Sequence, residues 1–126
     1  VGLIGLCNGD IDQVRSAIDR FAIDFVQNRL SVLDRATLPI LALCLERGVD
    51  FYAYSPLGGR NAESLNDQVD LARIASRHQV SPHRLALSWL LASGATPIVG
   101  ASRPETARDA FAARDLVLTS EERDSI

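Results

Sequence analysis

Four residues near the carboxyl end of the chain have the types and the order of an anion-binding turn. Residues 100–103 (Gly-Ala-Ser-Arg) follow a short apolar run, and Pro104 comes next, as prolines often do in the first turn of a helix. Ser102 and Glu105 have the spacing of a capping box, so Ser102 is predicted to cap a helix whose first turn contains Pro104. Free backbone N–H groups at a helix start bind anions, and the planar fork of Arg103 suits phosphate oxygens. The turn therefore predicts a phosphate site for a nucleotide.

Apolar runs and stretches of helical period alternate along the chain, and they define the fold that must position this turn. Predicted strands cover residues 1–6, 24–27, 49–54 and 97–99; predicted helices cover residues 10–20, 38–47, 67–78, 82–92 and 104–113, with a last helix at a capping box of Thr119 and Glu122. This alternation predicts an α/β fold of parallel strands with outer helices. Four such units make half of an eightfold barrel or a small open doubly wound sheet. The Gly-x-Gly-x-x-Gly fingerprint that would favour the open sheet is absent.

The side chains that could bind a ligand or take part in a reaction follow the predicted strands. They form the pairs Cys7-Asn8, Gln27-Asn28, Tyr54-Ser55 and Gly100-Ala101. The carboxyl ends of parallel strands meet at one rim, where barrel enzymes place their sites. We therefore expect these residues to share one site.

Composition excludes several classes of function. The chain has 126 residues, of which 47% are hydrophobic, and a net charge of −3 without a basic block, which argues against a nucleic-acid partner. No apolar run approaches the roughly 18 residues of a membrane span, so no membrane partner is expected. Cys7 and Cys44 lie in apolar segments and are predicted to be buried free thiols of a cytoplasmic protein. His78 and His83 are predicted to be solvated surface residues, and no metal site is expected.

The beginning of the chain also carries an expectation. There is no Met, and the sequence opens directly on an apolar run. We expect the chain to be part of a longer protein; a processed amino terminus is the alternative.

Taken in order, the motifs resemble the C-terminal half of the aldo-keto reductases. Residues 4–8 (Ile-Gly-Leu-Cys-Asn) are similar to the Ile-Gly-Val-Ser-Asn of that family, and residues 26–28 match its Val-Gln-Asn. Residues 53–58 (Ala-Tyr-Ser-Pro-Leu-Gly) match a third motif. Further similarity covers residues 81–90, residues 97–105 with their Gly-Ala-Ser-Arg-Pro-Glu, and residues 118–122. The resemblance therefore extends over nearly the whole chain.

The resemblance implies a fold and a cofactor. The family is a (β/α)8 TIM barrel that reduces carbonyls with NADPH, so residues 1–126 would form one partial domain, the C-terminal half of the barrel. Asn8 and Gln27, with Cys7 beside them, would bind the nicotinamide carboxamide, which needs both a donor and an acceptor. Tyr54 would stack on the nicotinamide ring.

The same resemblance assigns the rest of the cofactor. Ser55 and Leu57 would line the pyrophosphate, and a second group would reach the adenosine end; that group is Gly100, Ala101, Ser102, Arg103 and Thr106. Arg103 would contact the 2′-phosphate and favour NADPH over NADH. Three positions depart from the family pattern: Cys7 replaces Ser, Thr106 replaces Gln or Arg, and Ala110 replaces Asn. The adenosine end is therefore expected to be less complete than the nicotinamide end.

No catalytic residue is assigned to this chain. The resemblance places the catalytic Asp, Tyr, Lys and His of the family in the N-terminal half, and this chain contains no Lys. Reduction of a small carbonyl substrate is therefore expected only when the other half is present. The alternative is a non-catalytic half-barrel that binds nucleotide or a protein partner, because a lone half-barrel exposes sheet edges and would form a homodimer or dock to a missing half. A different barrel enzyme that acts on a phosphorylated sugar is a third possibility.

Overall fold

A computed structural model describes residues 2–126 of the chain, except for the side chains of residues 61–63. Val1, the first residue of the predicted strand 1–6, lies outside the described residues. The strands are β1 (Gly5–Cys7), β2 (Phe25–Arg29), β3 (Asp50–Tyr54) and β4 (Thr96–Pro97). The helices are α1 (Ile11–Arg20), α2 (Leu38–Arg47), α3 (Val69–His78), α4 (Pro82–Ala92), α5 (Pro104–Phe111) and α6 (Ser120–Ser125), with 3₁₀ turns at Gly59–Asp67 and Ala112–Asp115.

The four strands form one parallel sheet in the order β1-β2-β3-β4. Its register aligns Cys7 with Gln27, Gln27 with Tyr52, and Tyr52 with Thr96. Parallel neighbours in sequence order, joined through helices, confirm the α/β prediction. All four strands therefore end at the same rim.

Local capping chemistry explains why several helices begin and end where the sequence predicts. The Asp10 carboxylate accepts a hydrogen bond from the Gln13 backbone N–H at 2.8 Å, and the Gln13 side chain accepts one from the Asp10 N–H at 3.0 Å. The predicted α2 is confirmed in full, and it ends at Gly48, whose φ of 66° lies in the left-handed region. Ser81 caps α4 by accepting from the Arg84 N–H at 2.9 Å. These signals are local, so sequence alone carries them.

The core lies between the sheet and the helices. Val26, Phe51 and Ala53 alternate along β2 and β3 and are almost fully buried. They pack with buried helical side chains, which include Leu41, Cys44, Ile74, Leu85 and Leu90. The intervening strand residues, such as Gln27, Tyr52 and Tyr54, are only half-buried. Helices therefore cover one face of the sheet, and the other face carries Cys7, Gln27 and Tyr54, the predicted site residues that lie in strands.

The first strand corrects two predictions. β1 covers only Gly5–Cys7, and Leu3 and Ile4 before it are 67% and 56% exposed, so the expected buried strand 1–6 is wrong. Cys7 is exposed, not buried, whereas Cys44 is buried as predicted. The reason is non-local: β1 pairs only with β2 among the described strands, and its remaining edge has no neighbour.

The start of α5 at Pro104 agrees with the prediction, but its cap corrects a third prediction. The helix begins at Pro104, and its N-cap is Arg103, which makes no side-chain capping bond. Proline favours the first helical position, so it moves the cap one residue past Ser102. The capping box of Ser102 and Glu105 is therefore not formed. β4 is also shorter than predicted, although the Ile98 N–H still donates to the Ala53 carbonyl at 2.8 Å.

Candidate functional site

The turn after β1 and the end of β3 meet through a side-chain hydrogen bond. The Tyr54 hydroxyl donates to Oδ1 of Asn8 at 2.7 Å. Asn8 also continues the sheet ladder, because its N–H donates to the Gln27 carbonyl at 3.0 Å. The bond uses Oδ1 of Asn8 and leaves its Nδ2 without a partner in the described part of the chain. An amide donor and an aromatic face thus stand side by side at the rim.

Two residues of this rim adopt the left-handed backbone conformation, which is rare for residues other than glycine. Asn8 has a φ of 56° and Ser55 a φ of 49°, each directly after a strand. Asn tolerates the left-handed region, but a serine there costs on the order of 1–3 kcal/mol, and such residues cluster at functional sites. Both turns redirect the chain sharply at the end of a strand.

Gln27 and Asn28 point to opposite faces of the sheet. Asn28 is 3% exposed, and its Nδ2 donates to the Gly9 carbonyl at 2.9 Å, which ties β2 to the turn after β1. Gln27 faces the other side, in register with Cys7 and Tyr52. Gln27 is therefore available to a ligand. Asn28 joins β2 to the turn after β1, and its buried Oδ1 has no hydrogen-bond partner among the described residues.

A cavity of about 470 Å³ lies beside this cluster. Asn8, Tyr54, Arg29 and Thr37 are among the residues that line it. Arg29 pairs with Asp34 at 3.2 Å. Arg29 was not among the residues predicted for the site, although a charged residue at a strand end, two positions after Gln27, was a usable signal.

A second cavity, of about 350 Å³, lies between α4 and α5. Three of the predicted residues line it: Leu57, Arg103 and Thr106. His83 lines it as well, half-buried rather than fully solvated as predicted. The structure thus brings together part of the predicted adenosine end and adds a histidine.

The remaining predicted residues stand apart from these cavities. Gly100 and Ser102 are exposed, and a side chain at Gly100 would meet nothing within 4 Å, so the backbone does not require glycine there. Ala101 borders a different hollow of about 410 Å³ beside β4 and Phe111. Ser55 follows β3 and lines neither of the first two cavities.

Asp109 fixes the wall of the second cavity. Its carboxylate accepts from the Arg84 guanidinium at 2.6 and 2.8 Å and from the Ser81 hydroxyl. This network joins α5 to the start of α4 and compensates the charge of Asp109. Arg103, by contrast, is exposed and forms no ion pair with any residue that the structure describes.

Outside this site, His78 corrects the prediction of a solvated surface residue. Its Nε2 lies 2.9 Å from Oε1 of Glu122, which is 6% exposed. The Thr119 backbone N–H, followed by the His78 ring, holds the pKa of the Glu122 carboxyl below its ordinary value. This pair packs α6 against α3.

Neither a metal cluster nor a membrane-spanning helix is found among the residues that the structure describes. Residues 2–126, without the side chains at 61–63, contain no group of three or more His, Cys, Asp or Glu that would hold a metal ion. Within the same part of the chain, every helix is too short or too polar to cross a membrane.

Comparison with curated proteins gives relatives that include two methylglyoxal reductases. The chain is 28% identical over 145 residues to the NADH-specific methylglyoxal reductase of Escherichia coli K12, covering 92% of the chain and 44% of that protein. It is 28% identical over 134 residues to the methylglyoxal reductase DkgB of Salmonella typhimurium, covering 98% of the chain and 46% of that protein. The chain therefore spans just under half the length of these relatives.

Solved structures of aldo-keto reductases superpose on this chain. The thermostable aldo-keto reductase Tm1743 superposes with a TM-score of 0.88 at 31% identity, over 97% of this chain and 46% of that one. An aldo/keto reductase from Klebsiella pneumoniae, solved with NADP and acetate, superposes with a TM-score of 0.83 at 26% identity, over 94% of this chain and 44% of that one. The predicted fold, part of a (β/α)8 barrel, is confirmed by these matches.

The sequence profile of the aldo/keto reductase family matches residues 1–126, which is every residue of the chain. The ordered motifs, the parallel sheet and the superpositions lead to the same assignment. The chain belongs to the aldo/keto reductase family.

Proposed function

We propose that this chain is the cofactor-binding half of a carbonyl reductase that uses NADPH, and that residues 1–126 form one partial domain of it. The observation that carries the proposal is the 2.7 Å bond from the Tyr54 hydroxyl to Asn8. It holds an aromatic platform beside an amide at the rim where barrel enzymes bind their ligands.

At the nicotinamide end, each side chain has one task. The free Nδ2 of Asn8 donates to the carboxamide oxygen, and Gln27 pairs with the same planar group. The Tyr54 ring supports one face of the nicotinamide, so that the opposite face is presented to the substrate. Cys7 lies next to this group on the exposed face of β1 and contributes a weaker donor than the serine of the family pattern.

At the adenosine end, the unpaired guanidinium of Arg103 supports a choice of NADPH over NADH. Arg103 and Thr106 lie on one wall of the second cavity, with Leu57 on another. We propose that Arg103 pairs with the 2′-phosphate and Thr106 hydrogen-bonds it. Ser55 would line the pyrophosphate. Gly100, Ala101 and Ser102 would contact the adenosine from outside the cavity. The Klebsiella structure contains NADP, whereas the Escherichia coli relative is named NADH-specific.

The reaction would need groups that this chain does not carry. When bound, the reduced nicotinamide supplies a hydride. A carbonyl oxygen that receives the hydride at carbon also needs a proton. The chain has no Lys to lower the pKa of a tyrosine acid, so we propose that another half-barrel supplies the catalytic groups for a small carbonyl substrate. With both cysteines free, we place the protein in the cytoplasm.

Calorimetric titration of the chain with NADPH and with NADH tests the proposal. We expect NADPH to bind more tightly and Arg103→Ala to remove the difference. The matched control is Arg108→Ala, an exposed arginine of the same helix that lines neither cavity. Equal affinities for the two cofactors in the unmodified chain would contradict the proposed role of Arg103.

A second candidate is a non-catalytic half-barrel that associates through its edges. Exposed apolar side chains flank both outer strands: Leu3, Ile4 and Phe21 beside β1, and Leu91, Ile98 and Phe111 beside β4. Free sheet edges and apolar patches favour association, either as a homodimer or with the other half of a barrel.

Sedimentation and an activity assay distinguish the two candidates. A monomeric chain without binding of hydrophobic dyes would contradict the association proposal. NADPH oxidation that depends on an added carbonyl is expected to be absent for the chain alone. Turnover by the isolated chain would contradict the proposal that another half-barrel supplies the acid.

A further inference from the structure

One arginine contacts the loop that joins the two cavities that we assign to the ends of the cofactor. We propose that Arg29 binds the pyrophosphate of the dinucleotide, where the residues assigned so far, Ser55 and Leu57, carry no charge. This inference rests on the proposed function and deepens it, because it adds a cation to the middle of the cofactor site.

The sheet places Arg29 beside the residues of the nicotinamide end. Arg29 is the last residue of β2 and is aligned with Tyr54, the last residue of β3. Side chains alternate along a strand, so Arg29 extends from the same face of the sheet as Gln27. Arg29 and Tyr54 both line the first cavity. The guanidinium therefore lies at the same rim as the aromatic platform.

The loop after β3 connects the two cavities, and Arg29 is bonded to it. Tyr54 lines the first cavity, and Leu57, farther along the loop, lines the second. Nη2 of Arg29 donates to the Gly58 carbonyl at 3.4 Å. The Gly58 N–H closes the turn by donating to the Ser55 carbonyl at 2.9 Å. A dinucleotide that occupies both cavities has to carry its pyrophosphate across this turn, next to the guanidinium.

The guanidinium has donors to spare for such a ligand. Its Nε pairs with Asp34 at 3.2 Å, but the two side chains are 44% and 40% exposed, and ion pairs at such exposure are weak. Nη1 makes no hydrogen bond to any residue that the structure describes. Asp10, the acidic residue that lines the first cavity, is already bonded to the Gln13 N–H. Because arginine presents its donors as a planar fork, Arg29 can keep Asp34 and also bind phosphate oxygens.

Three ligands, titrated by calorimetry into the chain, test the inference. NADPH has the pyrophosphate and the nicotinamide, ADP-ribose 2′-phosphate keeps the pyrophosphate without the nicotinamide, and 2′-AMP keeps only the 2′-phosphate. We expect Arg29→Gln to weaken binding of the first two about five-fold, as for one partly exposed charge-assisted contact, and to leave 2′-AMP unchanged. Added salt should reduce this difference, because exposed charges are screened.

Two further variants separate the charge of Arg29 from its support of the loop. Arg29→Lys keeps the charge and should bind ADP-ribose 2′-phosphate more tightly than Arg29→Gln does. Asp34→Asn removes the competing carboxylate and keeps an oxygen for the Ala36 N–H, which donates to Oδ1 of Asp34 at 3.3 Å. It should bind ADP-ribose 2′-phosphate about two-fold more tightly, and this gain should shrink when Arg29→Gln is also present.

Arg15→Gln is the matched control. It removes an exposed arginine of α1 that lines neither cavity, so it should leave all three affinities unchanged. Urea denaturation checks that each variant is folded.

The outcomes distinguish this inference from the proposed function. If Arg29→Gln weakens NADPH but not ADP-ribose 2′-phosphate, Arg29 only supports the nicotinamide end, and its role at the pyrophosphate is overturned. An equal loss for 2′-AMP would overturn that role as well and leave the cofactor proposal intact. Failure of the unmodified chain to bind either NADPH or ADP-ribose 2′-phosphate would overturn both.

Discussion

Removing one oxygen atom, in Tyr54→Phe, tests the nicotinamide end of the site. The variant keeps the ring and loses the 2.7 Å bond to Asn8. A hydrogen bond of this kind contributes a net of about 0.5–1.5 kcal/mol, which corresponds to a loss of about two- to twelve-fold in NADPH affinity if Asn8 must be held in place to bind.

The larger change, Tyr54→Ala, also removes the stacking surface. Stacking of a base on an aromatic side chain is worth about 1–3 kcal/mol, so this variant should bind NADPH at least about five-fold more weakly than Tyr54→Phe. The order of affinities should therefore be the unmodified chain, then Tyr54→Phe, then Tyr54→Ala.

Tyr52→Phe is the matched control for this series. Tyr52 lies on the same strand and face, its ring packs edge-on against Phe25 with centroids 5.4 Å apart, and its hydroxyl has no partner among the described residues. Calorimetry with NADPH gives the affinities, and urea denaturation checks that each variant is folded. If Tyr54→Ala binds NADPH as tightly as Tyr52→Phe does, the assignment of Tyr54 to the nicotinamide is refuted.

Two further predictions concern stability and thiol reactivity. The Thr119 backbone N–H and the His78 ring keep the pKa of the Glu122 carboxyl below its ordinary value. The stability that this group contributes is therefore present above its ordinary pKa and is lost as the pH falls. As the pH falls, the denaturation midpoint of Glu122→Gln should decrease less than that of the unmodified chain. Glu121→Gln, which changes an exposed neighbour, should leave this pH dependence unchanged. Burial raises the pKa of the Cys44 thiol to about 11, and Cys7 is exposed. Mass spectrometry after brief alkylation at neutral pH should find Cys7 modified and Cys44 intact; rapid labelling of Cys44 in the folded chain would contradict the packing of α2.

Much of the fold was predictable because its signals are local. The cap at Asp10, the stop at Gly48 and the Ser81-Pro82 start of α4 each depend on neighbouring residues, and all three agree with the structure. The strand and helix order then followed from alternation, and the parallel sheet from that order.

The errors lie where burial depends on distant neighbours. An apolar run such as residues 1–6 predicts a buried strand, but β1 is an outer strand, and Cys7 on it is exposed. The error at Ser102 has a local cause. The capping-box spacing of Ser102 and Glu105 competed with the preference of Pro104 for the first helical position, and Pro104 determined the start of the helix.

The site was only partly accessible to sequence reasoning. Asn8 and Tyr54 follow two different strands, and the motifs identified both, although only the folded sheet brings them into hydrogen-bond contact. His83 was missed as a lining residue because the cavity between α4 and α5 exists only after those helices pack. No pattern within one helix indicates what the next helix places opposite it.

A crystal structure of the chain with NADP⁺ would show directly how the cofactor binds. We expect the nicotinamide ring on the face of Tyr54, its carboxamide on Asn8 and Gln27, and the 2′-phosphate within hydrogen-bond distance of Arg103. A cofactor bound elsewhere on the chain, or a 2′-phosphate directed away from the cavity between α4 and α5, would contradict it.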